Sequence, residues 1–62
     1  MTFRELLKSC DCTASRLARA VGVSRQAVQF WIEGTTIPSV DKAAKIAEVL
    51  GVKLERVAAC FV

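Results

Sequence analysis

Apolar residues recur along the whole chain at the three- and four-residue spacing that is typical of amphipathic helices. Residues that cap helix starts stand before four of these stripes, namely Thr2, Thr13, Ser24 and Ser39. Glu5 follows Thr2 at the spacing of a capping box. Residues that tolerate a left-handed turn end the stripes, namely Asp11, Gly22, Gly34 and Gly51. The pattern predicts helices throughout, with no stretch of strand alternation.

The fourth segment, residues 39–51, is apolar around much of its circumference, with a polar stripe of Asp41, Lys45 and Glu48. We therefore expect it to be the central and most buried helix. A loop over residues 35–38 precedes it, and a short fifth helix is predicted over residues 54–60. The buried faces of the second and third helices are predicted to consist of Leu17, Ala18, Val21, Val28, Trp31 and Ile32.

Four of the five predicted helix starts have the spacing of a hydrophobic staple, in which an apolar residue before the cap packs against one five residues later. The pairs are Met1–Leu6, Cys12–Leu17, Val23–Val28 and Val52–Val57. This spacing favours a role for Cys12 as a small core thiol over a redox or metal-binding role.

The 62 residues suffice for one small domain over residues 1–62, which depends on regular helix packing. A composition that is 53% hydrophobic, with only three Gly and one Pro, argues against disorder and against a loop-rich disulfide scaffold. The number of cysteines is odd, with Cys10, Cys12 and Cys60, and no signal peptide or membrane-spanning run is apparent. We expect reduced thiols and a cytoplasmic location. Three cysteines without any histidine do not complete a zinc set, so no metal is expected.

The net charge of +3 fits a nucleic-acid partner. The charge is unevenly distributed along the chain. Residues 13–34 hold three arginines and one glutamate, a net charge of +2. Residues 1–12 sum to zero and residues 35–62 to +1. The positive excess therefore lies mainly in the second and third predicted helices.

These two helices meet through a short turn that contains Gly22, which is typical of a helix-turn-helix. Ala18 is small where the helices would cross, and Val23 and Val28 would fix the angle at which the third helix leaves the turn. The other face of that helix carries Arg25, Gln26, Gln29, Phe30 and Glu33. An exposed polar face of this kind is what a reader of the DNA major groove requires.

The run LARAVGVSRQAVQFW, followed by Gly34, Pro38-Ser39 and KIAEVLGV, resembles the Cro/CI-type (lambda-repressor-like) helix-turn-helix family over nearly the whole chain. The resemblance implies an all-α, five-helix bundle with the helix-turn-helix at helices 2 and 3. It implies that the third helix enters the major groove of double-stranded DNA. It also implies transcriptional repression, usually by a dimer on a two-fold operator.

The resemblance assigns base reading to the exposed face of the third helix, at Arg25, Gln26, Gln29 and Phe30. Arginine can pair bidentately with guanine, and glutamine with adenine. Phe30 departs from the family, which often has a polar residue there. Its ring can pack on a thymine methyl group, fold back against the helix or meet a partner. Glu33 can discourage non-specific binding or accept a hydrogen bond from cytosine.

Phosphate contacts are expected from hydroxyl and arginine side chains around the motif, namely Thr13, Ser15, Arg16, Arg19, Ser24, Thr35 and Thr36. Arg16 and Arg19 lie one turn apart, and phosphate contact is favoured over the alternative that they are solvated charges. Ala14 stands where the family often has a phosphate-binding glutamine, so that contact is missing. Trp31 is expected to be mainly a core anchor, with a phosphate contact from its indole N–H as a secondary possibility.

The last residues are apolar without a polar finish, and a small bundle cannot cover both faces of its last helix. Exposed apolar patches mark interfaces, so we expect a homodimer that uses Val57, Phe61 and Val62. The alternative is that Phe61 caps the core.

The sequence favours a sequence-specific DNA-binding repressor of phage or prophage type. An antitoxin, which would bind a toxin as well as DNA, and a helical protein-interaction module are the alternatives. No enzyme activity is expected, because no nucleophile–base pair, phosphate loop or metal set can be assembled. No cofactor, small-molecule ligand or membrane partner is expected either.

Overall fold

The computed structural model describes residues 2–61, and this range forms five helices without any strand. They are α1 (Phe3–Ser9), α2 (Ala14–Val21), α3 (Arg25–Glu33), α4 (Val40–Leu50) and α5 (Leu54–Ala59). The predicted all-α, five-helix architecture is confirmed. None of the five has the length and apolar character that a membrane-spanning helix needs.

Hydroxyl side chains begin the first four helices, as predicted. The Thr2 hydroxyl accepts from the Glu5 N–H at 3.2 Å, and the Thr2 N–H donates to the Glu5 carboxylate at 2.8 Å. This confirms the capping box. Thr13, Ser24 and Ser39 each accept from the N–H three residues later. α5 follows Lys53 without a side-chain cap.

A left-handed residue ends each of the first four helices. Asp11 is the non-glycine among them, with φ 54°, and this confirms its role as the breaker after α1. The residue after the turn then donates its N–H to a carbonyl five residues earlier, at 3.0 Å for Cys12 to Leu7, Val23 to Ala18, Thr35 to Phe30 and Val52 to Ala47. These bonds satisfy carbonyls that the helix itself cannot pair.

All five helices contribute to one core cluster, which comprises Phe3, Leu6, Leu7, Leu17, Ala18, Val21, Val28, Trp31, Ile46, Ala47 and Val57. α2 packs against both α3 and α4, while α1 packs against α3, and α5 against α4. Trp31 is buried and meets the ring of Phe3 edge-on, with 6.5 Å between ring centroids. Its predicted role as a core anchor is confirmed. Ile32, which was expected to face the core, is only half-buried.

The first members of three predicted staples, Cys12, Val23 and Val52, are half-buried and pack against this cluster. Their predicted partners in α2, α3 and α5 are buried. The fourth predicted staple begins at Met1, which lies outside the described residues.

The prediction that the fourth helix is the most buried is wrong. Ile46 and Ala47 are the buried residues of α4, whereas Val40 is 77% exposed and Ala44 and Val49 are also exposed. α4 packs against α2 and α5, and a bundle of this size leaves its outer side uncovered. The packed helices form the series α1, α3, α2, α4 and α5, so α2 lies in the middle, and it buries Leu17, Ala18 and Val21.

The predicted interface role of Val57 is also wrong, because this side chain is 0% exposed and belongs to the core. Phe61 is half-buried, and its ring lies 5.1 Å from that of Phe3 between centroids, so it covers one end of the core. This is the alternative role that the sequence left open for Phe61. Val62, the third predicted interface residue, lies outside the described residues.

Replacing Glu5 by alanine is expected to destabilise the protein at neutral pH and to have little effect in acid. Hydrogen bonds from the backbone and hydroxyl of Thr2 hold the pKa of Glu5 below its ordinary value. A lowered folded pKa means that the carboxylate stabilises the fold above the ordinary value of about 4.3. This stabilisation is lost as the pH falls through the lower folded value. Urea unfolding of both proteins between about pH 7 and pH 3 should give free energies that converge in acid, and a constant difference would contradict the prediction.

Candidate nucleic-acid interface

Three residues, Gly22, Val23 and Ser24, join α2 to α3 and set the angle between them. Gly22 has φ 87°, a left-handed conformation that costs glycine little. The carbonyl of Ala18 accepts from the N–H groups of both Gly22, at 2.9 Å, and Val23, at 3.0 Å. Ser24 then caps α3. The turn therefore begins α3 in a fixed direction, with Ala18 buried beside it.

The two faces of α3 have different environments. Val28 and Trp31 are buried in the core. On the opposite face Arg25, Gln26 and Phe30 are exposed, and Gln29 is half-buried. The structure thus brings the four predicted base-reading residues onto one accessible face of one helix. Phe30 is 37% exposed, so part of its ring is accessible on this face.

Gln29 and Glu33 are joined on this face by a hydrogen bond, in which Gln29 Nε2 donates to Glu33 Oε2 at 3.2 Å. This bond was not predicted from the sequence. The signal was their four-residue spacing, which places side chains side by side on a helix.

The arginines predicted to contact phosphates, Arg16 and Arg19, are exposed on α2. Arg25 is exposed at the first turn of α3, so the three positive charges of the motif all lie in contact with solvent. Charges held in this way attract a polyanion without the cost of burying them.

The hydroxyl groups predicted to contact phosphates differ in what they can offer. The oxygens of Thr13 and Ser24 accept from backbone N–H groups, yet each hydroxyl keeps its proton for donation to a phosphate oxygen. Ser15 and Thr36 are exposed. Thr35 is exposed too, but its backbone N–H already donates to the carbonyl of Phe30 at 3.0 Å, so its hydroxyl is the group left for DNA.

The three cysteines are free and half-buried. Burial raises the pKa of Cys12 and of Cys60, which lowers the fraction of reactive thiolate at neutral pH. Within residues 2–61, no group of three or more His, Cys, Asp or Glu side chains is placed to hold a metal ion.

A family model described as helix-turn-helix matches residues 3–57 of the chain. The match spans the turn at Gly22, the whole of α3 and most of the core-forming residues. No curated protein and no solved structure shows significant similarity to the chain. The extent of the family match, together with the turn and the exposed face of α3, places this chain in the Cro/CI-type helix-turn-helix family of DNA-binding transcription regulators.

Proposed function

We propose that the protein is a repressor of phage or prophage type, which acts in the cytoplasm and binds a two-fold operator as a homodimer. The observation that carries this proposal is the exposed face of α3, where Arg25, Gln26 and Gln29 lie together while Val28 and Trp31 anchor the opposite face. An α-helix fits the major groove of B-form DNA, so this face can reach base edges there. A protein bound at a promoter represses by excluding other proteins from the same DNA.

The side chains define the bases that each half-site should contain. Arg25 offers two donors to the O6 and N7 acceptors of guanine. Gln26 and Gln29 each offer one donor and one acceptor, which matches adenine. Phe30 can contact a thymine methyl group, since its ring is exposed on the same face. The proposed half-site therefore contains guanine, adenine and thymine contacts within one turn of the duplex.

Phosphate contacts supply the sequence-independent part of the affinity. We assign them to Arg16 and Arg19 and to the hydroxyls of the motif, namely Thr13, Ser15, Ser24, Thr35 and Thr36. The two arginines release counterions when they meet phosphates, so binding should weaken as the salt concentration rises.

Selection of binding sites from a pool of random double-stranded DNA, at one stated salt concentration, tests this proposal. We expect enrichment of an inverted repeat whose half-sites contain guanine and adenine. Failure to enrich any sequence would overturn the proposal. Enrichment of a single, non-repeated half-site would overturn the homodimer.

The surface best suited to self-association is a groove that we call the apolar groove. It is formed by the loop before α4, the first turn of α4, and α5 with the residue Phe61 that follows it. Its lining comprises Ile37, Pro38, Val40, Ala43, Leu54, Ala58 and Phe61. Ile37 is 67% exposed, Val40 77% and Leu54 40%, so much of its apolar surface is in contact with water. Such patches favour burial against a partner. The groove retains Phe61 from the predicted interface and replaces Val57 with residues that are accessible.

A second copy of the chain is the occupant that this groove fits best. The residues that follow Val40 and Leu54 in sequence carry balanced charges, Asp41 with Lys42 and Glu55 with Arg56, so two copies meet without net repulsion. Ile37 lies four residues beyond the end of α3. A two-fold axis at the groove would therefore lie close in sequence to the end of α3 in each copy, and a two-fold operator is read by two such helices.

Replacing Val40 by aspartate is expected to weaken self-association by at least about tenfold, because a carboxylate would be buried in an apolar contact. Val40 is exposed in the single chain, so the fold should survive. Ala20→Asp adds the same charge at an exposed position on α2, away from the apolar groove, and is the matched control. Sedimentation equilibrium of the three proteins over a range of concentrations measures the effect. Equal self-association in all three would exclude this surface.

A further inference from the structure

The position of Glu33 is unfavourable on general grounds. It is the last residue of α3, where the negative end of the helix dipole disfavours an anion. It also lies on the proposed DNA-facing side, where its charge repels phosphates. Two unfavourable placements at one residue suggest a compensating role, and the hydrogen bond from Gln29 indicates what that role is.

The bond determines which way the Gln29 amide faces. An ionised carboxylate only accepts hydrogen bonds, so the amide nitrogen must face Glu33 and the amide oxygen must point elsewhere. One of the two N–H groups of Nε2 is thereby occupied. The groups that remain for DNA are one N–H donor and the Oε1 acceptor.

This remaining pair of groups matches one base. Adenine shows an acceptor, N7, and a donor, N6–H, in the major groove, so one donor and one acceptor pair with it. Guanine shows two acceptors, N7 and O6, and the Gln29 oxygen would then face O6 without a proton between them. A glutamine that is free to rotate can instead direct both N–H groups toward guanine. Holding the amide therefore favours adenine over guanine.

We infer that Glu33 is a positioning residue for sequence recognition, which holds the amide of Gln29 in the orientation that selects adenine. The inference rests on the proposed function and assigns to Glu33 no base contact of its own. It also gives Glu33 a second effect, since its negative charge lowers affinity for DNA of any sequence. Glu33 thus has one effect on base selectivity and another on overall affinity, and the two can be measured separately.

A double-mutant cycle tests the inference. Wild type, Glu33→Ala, Gln29→Ala and the double variant are each measured, at one salt concentration, against the selected site, the same site with adenine replaced by guanine, and random DNA. The relevant adenine is the one whose preference Gln29→Ala removes. All substitutions lie on an exposed or half-buried helix face, and circular dichroism confirms folding. Glu48→Ala removes an exposed carboxylate from α4 and is the charge control.

We expect Glu33→Ala to reduce the adenine-over-guanine preference about 1.4- to 2.3-fold, as suits one side-chain pair on a helix surface. It should also raise the affinity for random DNA. In the Gln29→Ala background, Glu33→Ala should leave base preference unchanged while still raising random-DNA affinity. Glu48→Ala should leave base preference unchanged. In the free protein, the side-chain amide NMR signals of Gln29 should move in Glu33→Ala and remain in place in Glu48→Ala.

Different results overturn different statements. If Glu33→Ala changes base preference equally with and without Gln29, or changes it at a cytosine, Glu33 reads a base itself and the inference fails. If Gln29→Ala alters preference at no position, Gln29 is not a reader and the inference fails. In both cases a selected inverted repeat would leave the proposed function standing. If wild type selects no sequence, the proposed function fails first.

Discussion

Replacing Ile46 by alanine is expected to lower the free energy of unfolding by about 2–5 kcal/mol. The side chain is 0% exposed and lies in the core cluster beside residues from the other helices, so its removal leaves a cavity. A domain of this length has a total stability of roughly 3–9 kcal/mol, at about 0.05–0.15 kcal/mol per residue. The substitution should therefore remove a large share of the total stability. Guanidinium or urea titration at room temperature measures the loss.

Ile37→Ala removes the same atoms from a side chain that is 67% exposed, and it is the matched control. We expect it to change stability by no more than about 0.5 kcal/mol when measured at high dilution, where self-association does not contribute. Equal losses for the two variants would mean that α4 does not pack on the core through Ile46.

This contrast bears on the prediction about α4 that failed. Apolar residues around most of a helix indicate which side chains can be buried. They are buried only where neighbouring helices cover them. α2 and α5 cover only part of the surface of α4. Val40 and Val49 lie outside the covered part and remain exposed, although the pattern groups them with Ile46. α2 carries two outward arginines and fewer apolar residues, yet it lies in the middle of the series of packed helices α1, α3, α2, α4 and α5. Which helix lies in the middle depends on topology, which periodicity along the chain does not encode.

Features that involve residues a few positions apart were predicted well. The caps at Thr2, Thr13, Ser24 and Ser39 and the left-handed turn at Asp11 are confirmed, because each depends on hydrogen bonds within one helical turn. The exposed face of α3 followed for the same reason. Val57 was misplaced because the apolar end of the chain was treated as one patch, although its staple spacing with Val52 indicated that it packs inward.

The apolar groove and the pair Gln29–Glu33 needed coordinates. The groove combines residues from a loop and two helices that lie apart in sequence, Ile37, Val40 and Leu54 among them. The pair is visible in the sequence only as a spacing that many unrelated residues share. Its significance comes from knowing that both side chains lie on the exposed face and are within hydrogen-bonding distance.

Replacing Arg25 by alanine is expected to weaken binding to the selected operator half-site by about 1–3 kcal/mol, or roughly five- to 150-fold, and to weaken binding to random DNA far less. Arg25 is exposed at the first turn of α3, and its guanidinium can form two hydrogen bonds with one guanine. Random DNA offers that guanine rarely in the right place, so little is lost there. Titrations with the selected site, with a site that lacks the guanine, and with random DNA, all at the same salt concentration, measure the difference.

Arg56→Ala removes the same charge from an exposed position on α5, outside the helix-turn-helix, and controls for the general effect of net charge. We expect it to weaken binding to all three DNAs slightly and by the same factor. If Arg25→Ala also weakens binding to all three DNAs by the same factor, and reduces by about one the number of counterions released on binding, Arg25 contacts a phosphate. Base reading would then depend on Gln26, Gln29 and Phe30 alone, and guanine should disappear from the selected half-site. The salt dependence and the base preference together decide between these roles, because a phosphate contact changes the first and a base contact changes the second.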